Sequence, residues 1–132
     1  MKKIVLIELM TPIFLSCDPV SVMDANIKNL TSQNLTVIFF SSDSSFIKTL
    51  QIAPNETVLF QEDMDIGGSF LEPSLAGYDS VNIQNNSNKI LKVYNPNIEG
   101  KNIYKVGDYW IFSELAKRVY KYDYKIENKD IE

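Results

Sequence analysis

Three carboxylates, Glu62, Asp63 and Asp65, stand almost side by side in the middle of this chain. Two carboxyl groups held at the right separation can hydrolyse a glycosidic bond, so this is the one place where the sequence offers acid–base chemistry. With Gly67 they also make part of a calcium-loop pattern. That pattern needs Asn or Asp where Gly67 stands and a bidentate Glu where Ser74 stands, so Glu62, Asp63 and Asp65 are weak calcium candidates at most. Elsewhere the chemistry is excluded by composition. The chain has no histidine and a single cysteine, Cys17, which removes Ser-His-Asp and Cys-His catalysis and histidine-ligated metals. Gly67-Gly68 stands alone and makes no phosphate loop. Thirteen basic residues against seventeen acidic ones give a net charge of −4, which argues against a nucleic-acid partner. The reading is a non-enzyme with no cofactor, in which the acidic run marks the charged start of a loop.

That loop, residues 63–77, holds three of the five glycines together with Pro73 and no sustained period. Long irregular connections are where binding residues concentrate, so Asp63, Asp65, Phe70 and Glu72 form the expected ligand-contact loop. A helical turn is expected around residues 72–76.

The elements that must hold this loop read as strands. Residues 27–30, 34–40, 46–52, 57–60, 78–83 and 89–94 are rich in β-branched and aromatic residues, with turn signals between them. Residues 102–104 and 109–112 flank Gly107-Asp108, and Ser113 to Lys117 suits one helical turn. The closing segment is the clearest. Tyr120, Tyr122, Tyr124 and Ile126 alternate with Lys121, Asp123, Lys125 and Glu127, a period of two with one aromatic face. About seven to eight short strands point to an all-β fold, an antiparallel β-sandwich with an immunoglobulin-like Greek key. Trp110 is the residue most expected to be buried.

Residues 1–17 stand outside this pattern. Lys2 and Lys3, the apolar run Ile4 to Leu15 and the small Ser16 lie in the order of a secretory signal, and the run is too short to span a bilayer. Leu15-Ser16-Cys17 resembles the lipobox of bacterial lipoproteins. That resemblance implies cleavage before Cys17 and acyl chains such as palmitate on the cysteine. The expected organisation is a signal peptide at 1–16, a lipidated cysteine and short tether at 17–25, and one sandwich domain at 26–132. The sequons at Asn29, Asn34, Asn55 and Asn85 reflect an excess of asparagine and are not read as glycan sites.

With the signal, the strand around Ile27-Lys28-Asn29, residues 78–83, Trp110 and Tyr120-x-Tyr122-x-Tyr124-x-Ile126, the chain resembles small lipoproteins of Bacteroidota. The resemblance implies a protein exported to the bacterial envelope and lipid-anchored, most simply in the outer membrane, facing periplasm or surface. The expected function is non-catalytic: a sandwich that binds an envelope protein or a glycan. The alternative is a lipid-anchored immunity or inhibitor protein that turns its acidic surface on a secreted toxin or hydrolase. A hydrolase working through Glu62, Asp63 and Asp65 ranks third.

Overall fold

The computed structural model describes residues 18–132; the expected signal segment 1–16 and Cys17 lie outside them. The closing strand shows most directly how this sequence makes its fold. In β8 (Val119–Ile126) the residues Tyr120, Tyr122, Tyr124 and Ile126 are all buried, and the residues between them are not. Successive side chains of a pleated strand point to opposite faces, so the alternation commits one whole face to the core.

Seven strands precede it: β1 (Val20–Asn29), β2 (Leu35–Phe40), β3 (Lys48–Ile52), β4 (Thr57–Ile66), β5 (Ser80–Gln84), β6 (Ile90–Tyr94) and β7 (Ile111–Ala116). They form two four-stranded sheets, one in the order β4-β1-β8-β7 and the other β3-β2-β5-β6. Their inward side chains meet in one core, which makes the chain the β-sandwich its strand pattern indicates. All pairs are antiparallel except β1 with β8, which is parallel. In the constant-type immunoglobulin order the first strand lies beside the second. Here β1 lies between β4 and β8, and β2 is in the other sheet.

Two boundaries need correction. Residues 20–25 are not a tether, because β1 opens at Val20 and pairs from its first residue with β4. Likewise β4 runs on to Ile66, so Glu62, Asp63 and Asp65 lie on a strand and not in a loop. Both strands hide their period in the same way. The side chains of Val20, Val22, Met64 and Ile66 are exposed on the outer face, and the opposite face of the same stretch carries Ser21 and Asp65. Inverted polarity defeats a pattern that expects apolar residues inward. A bulge at Phe60 of β4, opposite the step from Ala25 to Asn26, also shifts the alternation of β4 by one residue.

Three smaller expectations fail. Residues 113–116 belong to β7 and not to a helical turn, and residues 102–104 are not a strand. One turn of helix, α1 (Val106–Tyr109), leads into β7, and residues 71–75 have no regular structure where a helical turn was expected. Among the described residues no helix is long and apolar enough to cross a membrane.

The core is threaded by aromatic rings. Phe39 stacks on Phe60 at 4.6 Å between centroids, and Phe60, Trp110, Tyr124 and Tyr94 follow at 6.0, 5.5 and 6.2 Å. Trp110 is buried as expected and donates its indole N–H to the Ile103 carbonyl at 2.8 Å. The Tyr94 and Tyr124 hydroxyls share a hydrogen bond of 2.9 Å, so the only polar atoms of these two rings satisfy each other.

Burial pushes both phenols up, Tyr94 to about 12 and Tyr124 further. The fold favours the neutral form, so this contribution is fully present below the unfolded value of 10.0 and is lost as pH climbs through about 12. For Tyr94 it amounts to about 2–3 kcal/mol. Phenolate absorbance should therefore show these tyrosines titrating late, well above the ordinary phenol value, together with the loss of near-ultraviolet circular dichroism. A titration in which all seven tyrosines ionise together near pH 10.0 while the fold persists would contradict this core.

Candidate functional site

The connection from β4 to β5, residues 67–79, is irregular but held along its whole length. Gly67 N–H donates to the Pro19 carbonyl at 2.8 Å, and Ser69 N–H donates to Asp65 Oδ2 at 3.0 Å. The Tyr122 hydroxyl donates to the Leu71 carbonyl at 2.8 Å, and Ser74 N–H to Gln61 Oε1 at 2.9 Å. Leu75 is buried, and Asp79 N–H closes on the Phe40 carbonyl at 2.7 Å. A segment with this many fixed points is a preorganised surface.

The expected contact residues divide between different places. Strand alternation puts Glu62 on the outer face beside Asp24, and Asp63 on the opposite side with Met23. Asp63 accepts the N–H of its own neighbour Met64 at 2.8 Å. The hydrogen bonds from Ser69 hold the Asp65 carboxyl below its ordinary value. Among the described residues no three acidic side chains gather in a group that could hold a metal ion, so the calcium reading of Glu62, Asp63 and Asp65 loses its geometry. Alternation leaves Asp63 and Asp65 on one face and Glu62 on the other, although Glu62 and Asp63 both border a shallow hollow of about 570 Å³ with Asp24. Phe70 packs on Tyr120 and Phe112 at 5.0 and 5.8 Å and is 62% exposed.

Glu72 has a different setting. It stands at the rim of a cleft of about 540 Å³, lined by residues 72–76, Tyr78 and Pro96 and by residues 104–107. Tyr78 is half-buried, with its ring braced against Phe39 at 5.3 Å and Phe60 at 6.4 Å. The Tyr104 hydroxyl donates to the Tyr78 carbonyl at 3.0 Å, fixing the two tyrosines to one another. Burial, with Asp79 nearby, pushes the Tyr104 phenol up to about 12, so it stays a neutral donor at any physiological pH.

Tyr104 is positioned in turn by Asn102, which is fully buried. Its Nδ2 donates to the Asn95 and Ile98 carbonyls at 2.8 and 3.2 Å, and its Oδ1 accepts Tyr104 N–H at 3.0 Å. Sequence reasoning found Glu72 but missed Tyr78, Tyr104 and Lys105 as its companions. No spacing connects Glu72 and Tyr78 with Tyr104 and Lys105, since β5 and β6 lie between; the abundance of asparagine also concealed that Asn102 is a structural residue.

No family model matches the chain, and no curated protein and no solved structure matches it. The geometry of the cleft therefore carries the functional reading. Its volume lies in the usual range for small-ligand sites, and it combines braced aromatic rings with a carboxylate at Glu72 and an ammonium at Lys105. A second groove of about 440 Å³ is lined by ends of β2 and β3, including Thr36 and Gln51, and by turn residues such as Asn34 and Asn85, with no aromatic ring to stack on.

Proposed function

We propose that this is a non-catalytic envelope protein, attached to the bacterial outer membrane by a lipid on Cys17, whose sandwich binds a saccharide in the cleft between residues 72–78 and 104–107. The observation that carries the binding role is the braced pair of Tyr78 and Tyr104 in a cleft of about 540 Å³. Fixed aromatic rings offer an apolar platform for a sugar ring, and Glu72 and Lys105 at the rim reach hydroxyl or amino substituents. A glycan suits this cleft better than a protein, because a stable protein interface needs about 800 Å² from each partner.

Two measurements test this. Titration with a panel of bacterial-envelope and host-type mono- and disaccharides should perturb the ring resonances of Tyr78 and Tyr104. Tyr104→Ala should then weaken binding of the saccharide by about tenfold or more, the effect of removing an anchor ring. Tyr104→Phe, which keeps the ring but loses its tie to the Tyr78 carbonyl, should weaken it by less. Ring shifts that map to the asparagine-lined groove instead would reject the cleft. The anchor is tested by Cys17→Ala, which should move the protein from membranes to the soluble fraction and abolish incorporation of labelled palmitate. A variant that stays on membranes and still labels would end the anchor reading.

A further inference from the structure

The outer face of the first sheet changes character along its strands. Val20 pairs with Ile66 and Val22 with Met64, and Val119 lies on the other side of Val22. Met64 and Ile66 are 61% and 67% exposed, and Leu115, 66% exposed, stands at the bulge of β7 across β8. One layer further along, the same face turns polar, with Asp24 between Glu62 and Lys121. The continuous apolar band therefore lies at one tip, and beyond the charged layer only Leu59 and Ile111, at the two edges of the sheet, are exposed apolar residues on this face.

The chain enters the domain at that tip, and it enters under restraint. Pro19 accepts Gly67 N–H, and Gly68 packs so closely against Pro19 that an added Cβ would come within 2.9 Å of it and of Arg118 Nε. Gly68 also holds a φ of +76°, which other residues adopt only with strain. Two peptide units span about 7 Å at most. A lipid on Cys17 would thus be held within that reach of the fixed Pro19, leaving no slack to lift the apolar tip clear of the bilayer.

We propose that the domain stands on the membrane with the strands of its first sheet upright. Ile66, Met64, Val20, Val22 and Leu115 enter the lipid surface beside the Cys17 anchor. This inference rests on the anchor reading above and adds a second, direct contact to it. The charged layer of Asp24, Glu62 and Lys121 disfavours the sheet lying flat, which would press both outer-face carboxylates into lipid. Upright, the carboxylate level with the band is Asp65, on the opposite face and hydrogen-bonded by Ser69 N–H. From Val20 to Val22 the band is about 7 Å tall, which matches the depth of about 5–10 Å reached by interfacial elements. Lys117 and Arg118, in the turn that ends the tip, suit the phosphates of the headgroups.

The test uses the full chain, purified from membranes of a host that acylates lipoproteins. It is reconstituted into vesicles of phosphatidylethanolamine and phosphatidylglycerol, with or without acyl-brominated phosphatidylcholine. Ile66→Trp reports on the tip and Ile90→Trp on the opposite end, with the buried Trp110 as a constant background. The expected result is a blue shift and quenching by brominated lipid for Ile66→Trp alone. An acylated, vesicle-bound protein whose Ile66→Trp is not quenched overturns the inference and leaves the anchor standing. A blue shift without quenching means that a second copy covers the face, and it overturns the inference too. Intact mass reads the anchor separately: if Cys17 carries no acyl chain, the anchor reading fails and the inference falls with it.

Discussion

Phe39→Ala is expected to destabilise the protein by about 3–5 kcal/mol, a third or more of the usual stability of a domain. Phe39 is fully buried at the penultimate position of β2, stacked on Phe60 and in contact with Tyr78. Removing the ring leaves a cavity between the two sheets that rigid strands cannot collapse to fill. Its neighbour Phe40, on the other face of the same strand, is half-exposed, so Phe40→Ala should cost only about 1 kcal/mol. Equilibrium unfolding in urea separates the two. Equal losses would mean that the two faces of β2 are not assigned as described. Phe39→Ala also removes one of the two braces of Tyr78, so it should weaken saccharide binding even below the unfolding transition.

Asn29→Ala should cost nearly as much, about 3 kcal/mol, for a different reason. The Asn29 amide lies at the end of β1 with no exposed surface. Its Nδ2 donates to the Gln33 carbonyl at 2.7 Å and the Ile52 carbonyl at 2.9 Å. Its Oδ1 accepts the Thr31 N–H at 2.9 Å and the Thr31 hydroxyl at 2.6 Å. All the hydrogen-bonding capacity of the amide is used, and it ties the β1–β2 turn to β3 in the other sheet. Alanine leaves these buried groups without partners. Asn29→Asp keeps the shape but turns a carboxylate on two carbonyls, so at neutral pH it should be at least as destabilising as alanine. If the aspartate variant is as stable as the parent in urea unfolding, the orientation of this amide is wrong. The burial of Asn29 also makes its sequon unusable in the folded protein.

These residues show how legibility varied along the chain. The β8 segment was readable because its side-chain classes follow the pleat without interruption. β2, β5 and β6 were readable to within a few residues for the same reason. β1 and the second half of β4 were not, because their apolar residues face outward at the tip and small or polar residues face inward. The site was half legible. An irregular stretch containing Glu72 was visible, but Tyr78 and Tyr104 meet only because the β4–β5 and β6–β7 connections converge.

What the sequence alone determined is the class: period-two alternation and turn residues are local, and they commit this chain to short strands packed face to face. The lone cysteine after an apolar run also singled out Cys17 as the place to look for an anchor. Only the tertiary structure decided the strand order, with β1 held between β4 and a parallel β8. It also separated the three carboxylates onto two faces, and it assembled the tyrosine cleft and the apolar tip. Pairing, bulges and convergent loops depend on contacts between residues far apart in the chain, and no local pattern encodes which distant partner a strand edge will find.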